Sequence, residues 1–128
     1  MLTFFTVPKP FVGHTDIIQR NAIQSWLQSA TKCQVLLFGE EEGTAHIATE
    51  LGVQHVPDIQ RSPHGAPLLD GIFQRACELA DYPTLCFANA DIIFNGGFDL
   101  LNSLSAAFLV VGESMDLPVE APIDFSNP

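Results

Sequence analysis

The sequence predicts an α/β fold with a mostly parallel sheet and helices on both faces, on three observations. Short apolar runs rich in β-branched and aromatic residues recur at 2–7, 34–38, 53–56, 84–94 and 108–111, and such runs mark strands buried on both sides. Stretches with apolar residues at helical spacing separate them. Proline and glycine punctuate the junctions. The resulting order, β-α-β-α-β-α-β-α-β, calls for right-handed crossovers in one three-layer domain, and 128 residues suffice for one core.

Residues 2–7 read as the first strand, stopped by Pro8-Lys9-Pro10, where two prolines remove backbone donors. His14 or Thr15 opens a helix with Asp16 in its first turn, favourable to the helix dipole. Ile18, Ala22 and Trp26 form its stripe, with Ile23 and Leu27 beside it, so the single tryptophan belongs to the core. The second strand runs from Gln34 to Phe38. After Gly39, Glu40, Glu41, Glu42 and Gly43, Thr44 to Leu51 is a short helix closed by Gly52, a residue suited to the C-cap.

A third strand, 53–56, stops at Pro57. Residues 58–66 are a polar loop, and Pro67 suits the first turn of the next helix. There Leu69, Ile72, Phe73, Ala76 and Ala80 share a face. The stretch 84–94 follows, then a turn at Asn95-Gly96-Gly97, a helix over 98–107 and a fifth strand over 108–111. The acidic, proline-containing stretch 112–128 is a tail of undecided structure.

Fifteen acidic and five basic residues give a net charge of −10. That disfavours nonspecific nucleic-acid binding, which needs cations to release counterions, and an anionic membrane surface. No apolar run reaches the roughly 18 residues of a membrane span. Met1 to Phe5 lacks a basic leader segment and reads as a strand. Cys33, Cys77 and Cys86 have no CxxC spacing and read as small buried hydrophobes of a reducing compartment. A cytoplasmic protein is the expectation.

The stretch 84–94 is interrupted by Asn89, Ala90 and Asp91. A carboxylate at the end of a buried strand must be hydrogen-bonded, neutralised or bound to a cation, and α/β sheets hold ligands at the carboxyl ends of their strands. Two readings stand side by side. In one, Asp91 caps a turn and Asn89 satisfies loop backbone. In the other, Asp91 holds a divalent cation, Mg²⁺ or Mn²⁺, whose shell is completed by phosphates and water. Lys9 after strand one and Arg61 after strand three reach the same edge, placed for a diphosphate or as ordinary loop charges. One of the glutamates 40–42, with backbone at Phe38 and Gly39, would face a base or ribose. His14 and His64 lie in loops on that side, His46 and His55 in regular structure. No nucleophile elbow, zinc spacing, GxGxxG or P-loop is present.

Together these stretches resemble the nucleotide-sugar-binding half of a GT-A type glycosyltransferase. The resemblance covers about 2–111 and rests on Val7-Pro8-Lys9-Pro10-Phe11, on Leu37-Phe38-Gly39, on Gly65-Ala66-Pro67-Leu68-Leu69-Asp70, and above all on Asn89-Ala90-Asp91-Ile92. It implies that Asp91 is the metal ligand at the family's Asp-x-Asp position. Asn89 replaces the first aspartate; it can ligate through its carbonyl oxygen but with less charge. It implies further that Val7, Pro8, Lys9, Phe38, Gly39, Glu40, Arg61, Gly65, Asn89 and Ala90 lie about a sugar nucleotide. Such enzymes carry a longer second half with the acceptor site, and Asp116, Glu120 and Asp124 supply no assignable base. The expectation is therefore a truncated glycosyltransferase-like protein that pairs as a homodimer. The alternatives are a non-catalytic interaction or regulatory domain and a small Mg²⁺-dependent phosphotransfer protein.

Overall fold

A computed structural model describes residues 2–29, 32–94, 98, 109–113, 115 and 120–125. The elements are β1 (Leu2–Thr6), α1 (Gly13–Ser29), β2 (Cys33–Phe38), α2 (Thr44–Leu51), β3 (Gln54–Val56), α3 (Leu69–Leu79) and β4 (Leu85–Phe87). They form one parallel sheet in the order β3-β2-β1-β4. β1 pairs with β2 from Leu2↔Cys33 to Thr6↔Leu37, and with β4 from Thr3↔Leu85 to Phe5↔Phe87. The α/β class and the parallel pairing thus hold as the sequence predicts.

Alternation along the strands sorts the core into two layers. Leu2, Phe4, Val35 and Leu37 pack with Ala22, Ile23 and Trp26 of α1 and Ile47 and Ala48 of α2. Phe5, Leu36, Phe38 and Val56 pack with Ile72 and Ala76 of α3. Helices therefore cover both faces. The chain steps outward from β1 to β3 and then returns to place β4 on the far side of β1. A constant crossover hand carries α3 to the opposite face when the direction reverses.

Two turns explain their glycines. Gly43 precedes α2 at φ 87°, and a Cβ there would lie 2.8 Å from the Phe11 Cβ. Gly52 ends α2, its N–H donating to the Ala48 carbonyl. Arg20 joins the helices, pairing with Asp16 at 2.8 Å and with Glu50. Burial works to lower its pKa, but the hydrogen bonds and charges of the two carboxylates outweigh that and raise it.

Several expectations are corrected. α1 begins at Gly13. Pro67 bridges Arg61 in an isolated antiparallel pair, and α3 begins two residues later, because Leu68 takes extended geometry as its N-cap. On α3 only Ile72 and Ala76 are buried; Leu69 and Phe73 are 49% and 43% exposed, although the Phe73 ring packs edge-on against Phe5 and lies beside Phe87. β4 is an edge strand among the described residues, with Phe87 exposed, and so is not buried on both faces. Cys77 is exposed on α3; only Cys33 and Cys86 are partly buried. Leu109, Val110 and Val111 form no strand and are 60–88% exposed: strand propensity has no effect without a ladder partner. The predicted turn at 95–97, the helix over 99–107, Phe108 and Asp116 lie outside the described residues. No described helix is long and apolar enough to cross a membrane.

Candidate functional site

The strand order reverses at β1: β2 and β3 lie on one side of it and β4 on the other. In open α/β sheets ligands bind outside the carboxyl ends of the strands at such a point. The loop that starts at Val7 and the one that starts at Ala88 leave this same edge, since Phe5 pairs with Phe87 and the Ala88 N–H reaches the Phe5 carbonyl at 3.4 Å.

Both loops are tied to α1. Gln19, 2% exposed, accepts from the Lys9 N–H at 2.7 Å and donates to the Lys9 carbonyl at 2.8 Å. Lys9 thus has its backbone committed and only its exposed side chain free to turn toward the crevice. Pro8 is buried and Val7 half-buried. On the other wall the Asn89 carbonyl accepts the Ile92 N–H at 3.1 Å, closing a turn that holds Asn89 and Asp91 exposed around a buried Ala90. Trp26 Nε1 donates to the Ile92 carbonyl at 2.7 Å, and the Phe94 N–H donates to Ser25 Oγ at 3.0 Å. The Trp26 ring stacks on Phe4, centroids 5.5 Å apart. One helix therefore sets the separation of both crevice walls.

The loops after β2 and β3 form a second group on the same edge. Gly39 takes φ 103°, which favours glycine, and Ile59, an Arg61 nitrogen and Val7 lie 3.4–3.8 Å from where its Cβ would be, an ordinary contact distance. Its N–H donates to the Val56 carbonyl at 2.9 Å. Its carbonyl lies 2.6 Å from His55 Nε2; a carbonyl only accepts, so that nitrogen carries the proton. Phe38 is buried beneath, and Glu40 is exposed.

Arg61 is already engaged. One guanidinium nitrogen donates to the Gly65 carbonyl at 2.9 Å and another to Glu41 Oε1 at 3.0 Å. Gly65 is thus an internal partner of Arg61, and Ser62 fastens the same loop by accepting from the His64 and Ala66 N–H groups. A cavity of about 240 Å³ opens between residues 58–60 and α3, lined by Phe38, Asp58, Gln60, Ile72, Arg75 and Glu78. It includes none of residues 88–91.

Val7, Pro8 and Lys9 follow β1, and Asn89, Ala90 and Asp91 follow the neighbouring β4, so both loops leave the same edge of the sheet; Gly39 lies near Arg61 and Val7, and Arg61 bonds Gly65. Among the described residues no cluster of three His, Cys, Asp or Glu side chains stands ready to hold a metal. A cation at Asp91, with or without the Asn89 side-chain oxygen, would draw its remaining ligands from phosphate and water. Gln19, Asn21 and Ser25 escape a sequence reading. Their only signal is polar residues set into the apolar stripe of α1, a pattern shared with plain surface positions. Two further buried hydroxyls, Thr6 Oγ1 at the end of β1 and Thr44 Oγ1 at the start of α2, have no partner among the described residues.

The fold is a parallel α/β domain with helices on both faces of the sheet, whose strand order reverses at β1. Comparison with protein-family models, with curated proteins and with solved structures returns no match to this chain.

Proposed function

We propose that the crevice between β1 and β4 binds a sugar nucleotide through a divalent cation, Mn²⁺ or Mg²⁺, at Asp91, as the resemblance to GT-A glycosyltransferases implies. One observation carries the reading: the strand order brings the Val7-Pro8-Lys9 loop and the Asn89-Ala90-Asp91 turn to the reversal point of a parallel sheet, where such folds hold ligands. Asp91 supplies the charge at the metal, Asn89 a neutral oxygen, and Lys9 a cation for the diphosphate. The residues at 38–40 stand where a base or ribose would lie. Transfer to an acceptor would call for chain beyond these loops, so donor binding is the activity assigned. A second copy is the partner proposed, because Leu69, Phe73 and Phe87 leave apolar surface exposed and such patches mark association; sedimentation that shows only monomer at high concentration rejects the homodimer.

The test is thermal unfolding with UDP, GDP and their sugar conjugates, with and without Mn²⁺. A ligand at one hundred times its Kd adds about 2.7 kcal/mol to stability. The reading expects a metal-dependent rise in Tm that is lost in Asp91→Ala. A second reading, a non-catalytic domain that keeps the fold, draws on Arg61, whose nitrogens already serve Glu41 and Gly65, and on Asn89. No shift with any nucleotide favours it.

A further inference from the structure

The cavity of about 240 Å³ between residues 58–60 and α3 has an ordered construction. Its helical wall is one stripe. Gly71, Gln74, Arg75 and Glu78 line it, and the spacing i, i+3, i+4, i+7 puts them on one face of α3. That face flanks the buried stripe of Ile72 and Ala76. Ile72 and Phe38, both buried, supply the apolar part of the lining.

The opposite wall is held by backbone. The Leu68 N–H donates to the Gln60 carbonyl at 2.9 Å, and Arg61 and Pro67 form a bridge. The loop that carries Asp58 and Gln60 is thus fastened to the chain that enters α3. Walls set before a ligand arrives lower the ordering cost of binding.

Gly71 keeps the gap open. Glycine costs a helix stability relative to alanine, and Gly71 is not among the glycines with positive φ. A Cβ there would meet only Gln60 Oε1, at 3.6 Å, an ordinary contact. Neither backbone conformation nor crowding calls for glycine here. Its effect is to leave space between α3 and Gln60.

The lining is rich in acceptors. Asp58 and Glu78 bring carboxylates, Gln60 and Gln74 bring side-chain carbonyls, and Arg75 is the one cation. Arg75 donates to Glu78 at 3.1 Å, but both side chains are half exposed, and such pairs are weak enough to exchange. The chain as a whole carries −10, which raises the local concentration of cations.

We propose that this cavity binds a small organic cation with ammonium or guanidinium heads, with Asp58 as its counter-charge. A water takes about 30 Å³, so the space holds roughly eight groups of that size. The inference uses none of residues 88–91 and does not rest on the nucleotide reading. Amide chemical shifts of the full chain, titrated with 4-aminobutylguanidine and with 1,4-diaminobutane in about 0.1 M salt, test it. The expected result is saturable shifts confined to 58–60 and 71–78, with a Kd on the order of 0.1–1 mM, as so few atoms can supply. Asp58→Asn weakens binding about three- to fivefold, and Arg75→Gln tightens it about twofold by freeing Glu78. Gly71→Leu fills the gap with a better helix former, so it removes saturable binding while Tm stays at or above that of the parent. Shifts that spread beyond the cavity and are matched by sodium chloride at equal ionic strength overturn the proposal. Binding unchanged in Gly71→Leu does the same, as does succinate, a dianion, moving these amides where the cations do not.

Discussion

Replacing Gln19 by methionine removes the clamp on the first crevice wall while keeping length and burial. Two hydrogen bonds, at 2.7 and 2.8 Å, are lost. Each contributes a net of about 1 kcal/mol. Lys9 is exposed, so its freed backbone groups rehydrate and add no large penalty, and the methionine side chain recovers some burial energy. The expected loss is therefore about 1–2 kcal/mol, a Tm lower by roughly 3–8 °C for a domain of this size. Trp26 is the sole tryptophan and fully buried, so its fluorescence follows urea unfolding without an added probe. The midpoint falls and the slope stays, because the surface exposed on unfolding is unchanged. Gln28→Met, at an exposed position of the same helix, is the control and stays within about 0.5 kcal/mol. Midpoints that coincide for Gln19→Met and the parent chain would refute the claim that α1 holds this loop.

Three further outcomes follow from the same geometry. Thr6→Val removes a buried hydroxyl without a partner among the described residues and raises stability by about 1 kcal/mol; a lower urea midpoint would mean that the hydroxyl is satisfied in solution. Burial pushes the Cys33 and Cys86 thiols up, so the native state keeps their protons to higher pH than the unfolded chain. Stability is then full below about pH 8.5 and falls as pH rises past it. Urea midpoints at pH 7.5 and 9.5 in reductant read this, and a fall that is no smaller in Cys86→Ala rejects the assignment to that thiol. Glu41→Gln frees Arg61 from a half-exposed ion pair at 3.0 Å, worth at most about 1 kcal/mol. If Arg61 serves a diphosphate, nucleotide binding tightens by about two- to fivefold, and calorimetry showing weaker binding excludes that role.

The alternation of strands and helices was legible because each buried element carries its own period. Phe4, Val35 and Leu37 announce a two-sided sheet, and Gly52 announces the end of α2. What the sequence concealed depends on neighbours. Phe73 sits on the predicted apolar face of α3 and meets the rings of Phe5 and Phe87 on the sheet, yet it stays 43% exposed, and no local pattern encodes how much of a ring its neighbours cover. Leu109, Val110 and Val111 have the composition of a strand, and composition cannot supply the adjacent ladder. Arg61 was legible as a loop residue after β3, yet its commitment to Glu41 and Gly65 depends on the turn at Ser62. Asn89 and Asp91 were legible as a turn because their side-chain chemistry favours one; that this turn leaves the strand next to β1 required the strand order.

The polar interior of α1 gives the arrangement its logic. A helix covering a parallel sheet gains most from apolar residues, and burying Gln19, Asn21 and Ser25 costs free energy unless each is paired. All three are paired, and each pairing involves irregular chain: Gln19 with Lys9, Ser25 with Phe94, Asn21 with residues 121 and 123. Loops lack the ladder that fixes a strand, so their positions must come from elsewhere. Side-chain amides and hydroxyls on a rigid helix supply it, because each bonds backbone at a fixed height along the axis. An apolar substitution at any one of them would leave most of the core packing intact and loosen the chain that its side chain holds. Stability and crevice geometry are therefore separable in this domain, and a variant with a native core and a displaced Lys9 loop is the form in which that separation becomes measurable.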